Sequence, residues 1–66
     1  GQSIDQDEAA SLMMAIKSAD QARLDVIFEY LRQNKMIGTR VNPSDYQLSI
    51  RFKTLIGLRQ KELGGR

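Results

Sequence analysis

A chain of 66 residues that contains neither cysteine nor histidine must fold without the cross-links that stabilise many small domains. Disulfide bonds and thiolate zinc sites need cysteine, and histidine is both the commonest general base and the commonest metal ligand. A chain of this length buries only about 60% of the surface that its unfolded form exposes. Its stability therefore depends on one small apolar core, and most enzyme templates are excluded.

The composition is that of a folded domain. Apolar residues make up 41% of the chain and charged residues 27%, which is ordinary globular usage. The longest unbroken apolar run, residues 12–16, is far shorter than the roughly 20 residues of a membrane span, and no signal-peptide pattern precedes it. We therefore expect a single helical domain over residues 1–66, cytoplasmic and without membrane contact. The chain begins at Gly1 rather than at methionine, which is compatible with a piece excised from a larger protein.

Local signals predict a first helix near the N-terminus. Asp5 with Glu8 three residues later has the form of a capping box, and both carboxylates suit the positive end of the helix dipole. The helix should run to about Lys17. Its apolar residues recur at the i, i+3, i+4, i+7 spacing of one buried stripe, and they are Ala9, Leu12, Met13 and Ile16.

A second helix is predicted directly after the first. Ser18 and Gln21 repeat the capping-box spacing, and the helical pattern fades through residues 34–35, with Gly38 as the expected terminator. The residues that share its apolar face are Leu24, Ile27, Phe28 and Leu31.

The third helix has the clearest start. Asn42 is a favourable N-cap, Pro43 suits the first helical position, and Val41 and Tyr46 have the spacing of a hydrophobic staple. The glycines at 64–65 are expected to end it. Its main apolar stripe consists of Leu48, Phe52, Leu55, Ile56 and Leu63. The predicted fold class is therefore all-α, as a compact three-helix bundle.

An alternative fold remains open for residues 36–52. Apolar and polar residues alternate over 37–41 and again over 46–52, which is the pattern of half-buried strands. A turn at 42–45 would pair them as a β-hairpin. The result would be two helices plus a winged-helix-like hairpin, which places a basic set outward for nucleic acid: Arg40, Arg51 and Lys53.

Charge is divided unevenly along the chain. Residues 1–33 carry six acidic and three basic side chains, for a net charge of −3, whereas residues 34–66 carry seven basic and two acidic ones, for +5. A basic half is compatible with nucleic acid, with an acidic protein partner or with head-to-tail self-association.

No group of residues has the form of a catalytic or metal site. Asp5, Asp7 and Glu8 are the only carboxylate cluster, and helix capping accounts for them. The serines have no histidine to activate them, and the glycines do not form a phosphate-binding loop. We expect a protein that is not an enzyme, with no cofactor, no metal and no small-molecule substrate.

Apolar residues remain after the predicted core is filled. On helix three, Tyr46, Ile50 and Gly57 form a second stripe opposite the first. Glycine costs about 1 kcal/mol relative to alanine inside a helix, so a close approach by another backbone would explain Gly57. The full surplus is Met14, Val26, Tyr30, Ile37, Tyr46, Ile50 and Leu58.

The surplus favours a function in binding. We expect a non-catalytic helical module for protein–protein interaction or oligomerisation, such as an adaptor. The alternative is a small nucleic-acid-binding domain that acts in DNA binding or transcription regulation, which depends on the hairpin. The predicted protein-binding residues are Val26, Tyr30, Tyr46, Ile50 and Lys53.

Overall fold

The computed structural model describes residues 4–64. Over this range the chain forms three α-helices, α1 (Gln6–Ser18), α2 (Gln21–Gln33) and α3 (Tyr46–Gly64), with a 3₁₀ turn at Pro43–Asp45 directly before α3. The all-α three-helix bundle predicted from the sequence is confirmed. No helix within residues 4–64 combines the length and the apolar character needed to cross a bilayer.

The first two helices begin at aspartates. Oδ1 of Asp5 accepts a hydrogen bond from the Glu8 amide at 2.8 Å, which confirms the predicted start of α1. The start predicted at Ser18 is wrong, because α1 continues through that residue. The N-cap of α2 is Asp20, whose extended backbone lets Oδ1 accept from the Arg23 amide at 2.8 Å. A carboxylate is a stronger acceptor than a hydroxyl, which favours this later start.

The C-terminus of α2 is a Schellman motif with lysine in the position where glycine is usual. Lys35 has φ 60°. Its amide donates to the Arg32 carbonyl at 3.1 Å, and the Met36 amide donates to the Leu31 carbonyl at 2.9 Å. Gly38, the predicted terminator, instead lies in the connection to α3 with φ 111°. The helix ends earlier because Met36 and Leu31, the two positions that make the apolar contact of this motif, are both fully buried.

The β-hairpin alternative is wrong within the described residues. Residues 37–41 form an irregular loop, and residues 46–52, which alternate in the sequence, lie in α3. The amide of Asp45 donates to the Asn42 carbonyl at 2.9 Å, so the backbone already turns helically after Pro43. Asn42 is the N-cap as predicted, although its side chain makes no capping hydrogen bond. α3 extends to Gly64, and position 65 lies outside the described range.

The core is built from all three helices and from the connection before α3. α3 packs mainly against α1. Two predictions about the core are wrong. Phe28 was assigned to the core but is 44% exposed, because it lies at the margin of the buried stripe of α2, and Ile37 was assigned to the surplus but is buried. Leu63 is also exposed, in the last turn of α3. The largest fully buried side chains are Phe52, Ile16, Leu24, Leu31 and Met36.

Candidate functional site

A concavity with a volume of about 320 Å³ lies between the start of α3 and the loop before it. Three of the five residues predicted to bind protein, Tyr46, Ile50 and Lys53, line one side of it. Tyr46 is 53% exposed and Ile50 59% exposed, although both lie on α3, the helix that supplies the fully buried Phe52. We call these three side chains, with the residues that line the same concavity, the α3 surface. The other lining residues are Gly38, Thr39, Val41 and Ser49.

A second concavity, of about 330 Å³, adjoins the α3 surface across Ile50. Lys17 of α1 and Arg51 of α3 line it together with partly buried side chains of the core. The charged residue that lines the first concavity is Lys53, and those that line the second are Lys17 and Arg51. All three are basic. The exposed Ile50 side chain is therefore flanked by positive charge on both sides.

The other two predicted residues lie on a different surface. Val26 and Tyr30 of α2 line a shallow concavity of about 430 Å³ with Asp25, Glu29 and Gln33, which we call the α2 surface. Val26 is 66% exposed. The α2 surface shares no lining residue with the α3 surface, and both of its charged residues are acidic. The five predicted residues thus divide between two surfaces of opposite charge.

Hydrogen bonds hold the side chains of the α2 surface in place. The Tyr30 hydroxyl donates to the Glu8 carboxylate of α1, which raises the pKa of Tyr30 because the neutral phenol is the donor. Hydrogen bonds from the Arg32 guanidinium lower the pKa of Glu29, so this carboxylate stays ionised. Asp25 accepts a hydrogen bond from the neutral Gln21 amide at 3.0 Å. Arg32 offsets part of the charge of Glu29, and no such cation is hydrogen-bonded to Asp25 in the described structure.

Ser49 is the buried residue among those that line the α3 surface, and it was missed as a candidate from the sequence. It is 3% exposed, and its Oγ has no hydrogen-bond partner among the described residues. Leaving a buried hydroxyl unsatisfied costs about 1–3 kcal/mol. The signal that could have found it is its helical position, which falls in the same buried stripe as Phe52 and Ile56.

Gly57 lies on the same exposed face of α3 as Tyr46 and Ile50, within about 40° at 100° per residue. A Cβ atom built at this position would meet nothing within 4 Å. Packing inside the described chain therefore gives no reason for glycine here. The predicted approach of another backbone is not made by any described residue.

The basic residues predicted for nucleic-acid binding do not share a concavity. Arg40 lines a concavity with Lys35 at the end of α2, Arg51 lies beside Lys17, and Lys53 belongs to the α3 surface. Arg51 and Lys53 point about 160° apart around α3 at 100° per residue. Without the hairpin, no single face of the described structure brings the three together.

No cluster of three or more acidic side chains within residues 4–64 is arranged to hold a metal ion. Comparisons with protein-family models, with curated proteins and with solved structures found no significant match to this chain. The function must therefore be inferred from the surfaces themselves.

Proposed function

We propose that this chain is a non-catalytic protein-interaction module that binds its partner through the α3 surface. The observation that carries the proposal is the exposure of Tyr46 and Ile50 on α3, the same helix that supplies the buried Phe52 and Ile56 to the core. Tyrosine is enriched at the energetic centres of interfaces, where an amphipathic ring is buried at a low cost in conformational entropy. Lys53 lies at the rim, where it would favour a partner of negative charge.

The size of the molecule bears on how the partner must bind. A standard interface buries about 800 Å² on each side. That is roughly one sixth of the 4903 Å² of accessible surface that the chain exposes. A partner would therefore cover the α3 surface together with the adjoining concavity at Lys17 and Arg51, and the concave groove alone would be too small.

Two features support protein binding over catalysis and over nucleic-acid binding. The chain contains no histidine or cysteine, and the titratable side chains of the α3 surface are Tyr46 and Lys53, without a carboxylate that could act beside them as a base. The basic residues Arg40, Arg51 and Lys53 do not form the continuous stripe that would follow a phosphate backbone.

The test begins with a photoreactive aromatic residue placed at position 50 in cells that express the protein. We expect crosslinking to one defined protein, which is then purified for measurement of its dissociation constant. Tyr46→Ala should raise that constant about 30-fold, which corresponds to a hot spot of roughly 2 kcal/mol. Gln47→Ala is the matched control, because this exposed residue lies next in sequence but outside the α3 surface.

Two results would overturn the proposal. One is an unchanged dissociation constant for a Tyr46→Ala variant that remains folded. The other is a salt-dependent response of Arg40, Arg51 and Lys53 amide signals to mixed-sequence DNA, which would establish the nucleic-acid alternative instead.

A further inference from the structure

The α3 and α2 surfaces are complementary in charge. The α3 surface and its adjoining concavity are lined by Lys53, Lys17 and Arg51, with no acidic residue, whereas the charged lining of the α2 surface is Asp25 and Glu29. Each also exposes one tyrosine beside one aliphatic side chain, which are Tyr46 with Ile50 and Val26 with Tyr30. Neither apolar pair is covered by the described part of the chain.

We infer that the partner of the α3 surface is the α2 surface of a second copy of this chain, bound head to tail. This inference rests on the proposed function and names its partner. A two-fold contact of one α3 surface with another would bring Lys53, Lys17 and Arg51 of both copies together, and like charges in an interface are unfavourable. The head-to-tail contact instead places basic side chains opposite Asp25 and Glu29.

The α2 surface is prepared for such a contact before binding. The Tyr30 ring is held by the hydrogen bond from its hydroxyl to Glu8, and Glu29 is held by Arg32. Side chains that are already ordered lose less conformational entropy in an interface. Within the described residues, Asp25 accepts a side-chain hydrogen bond only from the neutral Gln21 amide, which leaves its charge available to a cation of the second copy.

The exposed face of α3 also carries a glycine that favours a close contact. Gly57 has no Cβ atom, a Cβ atom built there would meet nothing within 4 Å, and this position continues the stripe of Tyr46 and Ile50. Because each copy offers one α3 surface and one α2 surface, a head-to-tail dimer leaves one surface of each kind free. Further copies add at these free surfaces, and association produces either a closed ring or a growing filament.

Two variants of the purified full chain, each with one of the two surfaces blocked, test this arrangement. Val26→Lys blocks the α2 surface and Ile50→Glu blocks the α3 surface, and both positions are exposed, so the fold should persist. In sedimentation velocity at low salt, the unmodified chain should grow in mass with concentration. Each variant alone should associate at least about tenfold more weakly. An equimolar mixture should form a one-to-one dimer that grows no further, because each variant supplies the surface that the other lacks.

The outcomes separate this inference from the proposed function. A Val26→Lys variant that still self-associates like the unmodified chain overturns the head-to-tail contact, as does a mixture that stays monomeric. If the chain is monomeric at all concentrations and Tyr46→Ala abolishes its crosslinking to a different protein, self-association is overturned and the proposed function stands. Self-association that Tyr46→Ala and Ile50→Glu do not weaken would overturn both.

Discussion

The two faces of α3 carry similar apolar side chains in different surroundings. On one face Phe52 and Ile56 are buried against α1 and α2, and on the other Tyr46 and Ile50 are more than half exposed. A small domain has too few elements to cover every side of its longest helix. The covered face therefore determines stability, whereas the uncovered face is available for binding.

The largest effect expected from this comparison is at the covered face. Phe52→Ala should lower the free energy of unfolding by about 3–5 kcal/mol, through lost burial and a cavity at the centre of the core. The total free energy of unfolding of a domain of 66 residues is about 3–10 kcal/mol, so Phe52→Ala can unfold the chain. Phe52→Leu, with a loss on the order of 1 kcal/mol, should stay folded and measurable. Urea denaturation measures both. Ile50→Ala is the control on the uncovered face, and a loss there equal to that of Phe52→Ala would contradict the comparison.

A smaller effect of opposite sign is expected at Ser49, on the covered face. Ser49→Ala removes a buried hydroxyl that has no hydrogen-bond partner among the described residues, and should raise the free energy of unfolding by about 1 kcal/mol. The exposed Thr54→Ala, five residues later on the same helix, should change the free energy of unfolding by less than about 0.5 kcal/mol. Chemical denaturation compares the two, and a clear loss of stability for Ser49→Ala would show that Oγ has a partner in solution.

Gly57 distinguishes stability from binding on the uncovered face. Gly57→Ala should raise the free energy of unfolding by about 0.5–1 kcal/mol, because a Cβ atom there meets nothing and alanine favours the helix. The same variant should weaken association, since the added methyl group blocks a close backbone approach. Thermal denaturation and sedimentation velocity measure the two effects. Gly38→Ala, at φ 111°, should instead lower stability, and stronger association of Gly57→Ala would contradict the proposed contact.

The smallest effect concerns an uncovered side chain on α2. Glu8→Gln should lower the raised pKa of Tyr30 toward its usual value of 10.0, because the carboxylate that favours the protonated phenol is lost. The folded-state pKa lies above the unfolded one, so the stability from this contact is complete below the unfolded pKa and is lost as pH rises through the folded pKa. NMR titration of the Tyr30 ring measures the shift. Asp7→Asn is the control in the same turn, and an equal shift there would point to general charge instead of this hydrogen bond.

Local signals predicted most of the helices correctly. The start at Asp5 depends on a side chain that bonds an amide three residues away, and the start at Pro43 depends on a fixed φ angle, so neither needs the rest of the chain. The prediction at Ser18 was wrong because Asp20, two residues later, is the stronger acceptor and has the extended backbone of an N-cap, which the capping-box spacing does not show. The preference for glycine after the end of a helix likewise predicted Gly38 as the terminator of α2, whereas Lys35 takes the left-handed conformation there.

The sequence by itself determined the helical class, the uneven charge and the presence of more apolar side chains than a small core can use. All three follow from short-range periodicity and composition. Only the tertiary structure decided that Met36 and Ile37 fill the core while Phe28 stays outside, and that the predicted binding residues divide between the α2 and α3 surfaces. Burial depends on which elements pack together across long stretches of chain, and helical periodicity carries no information about that choice.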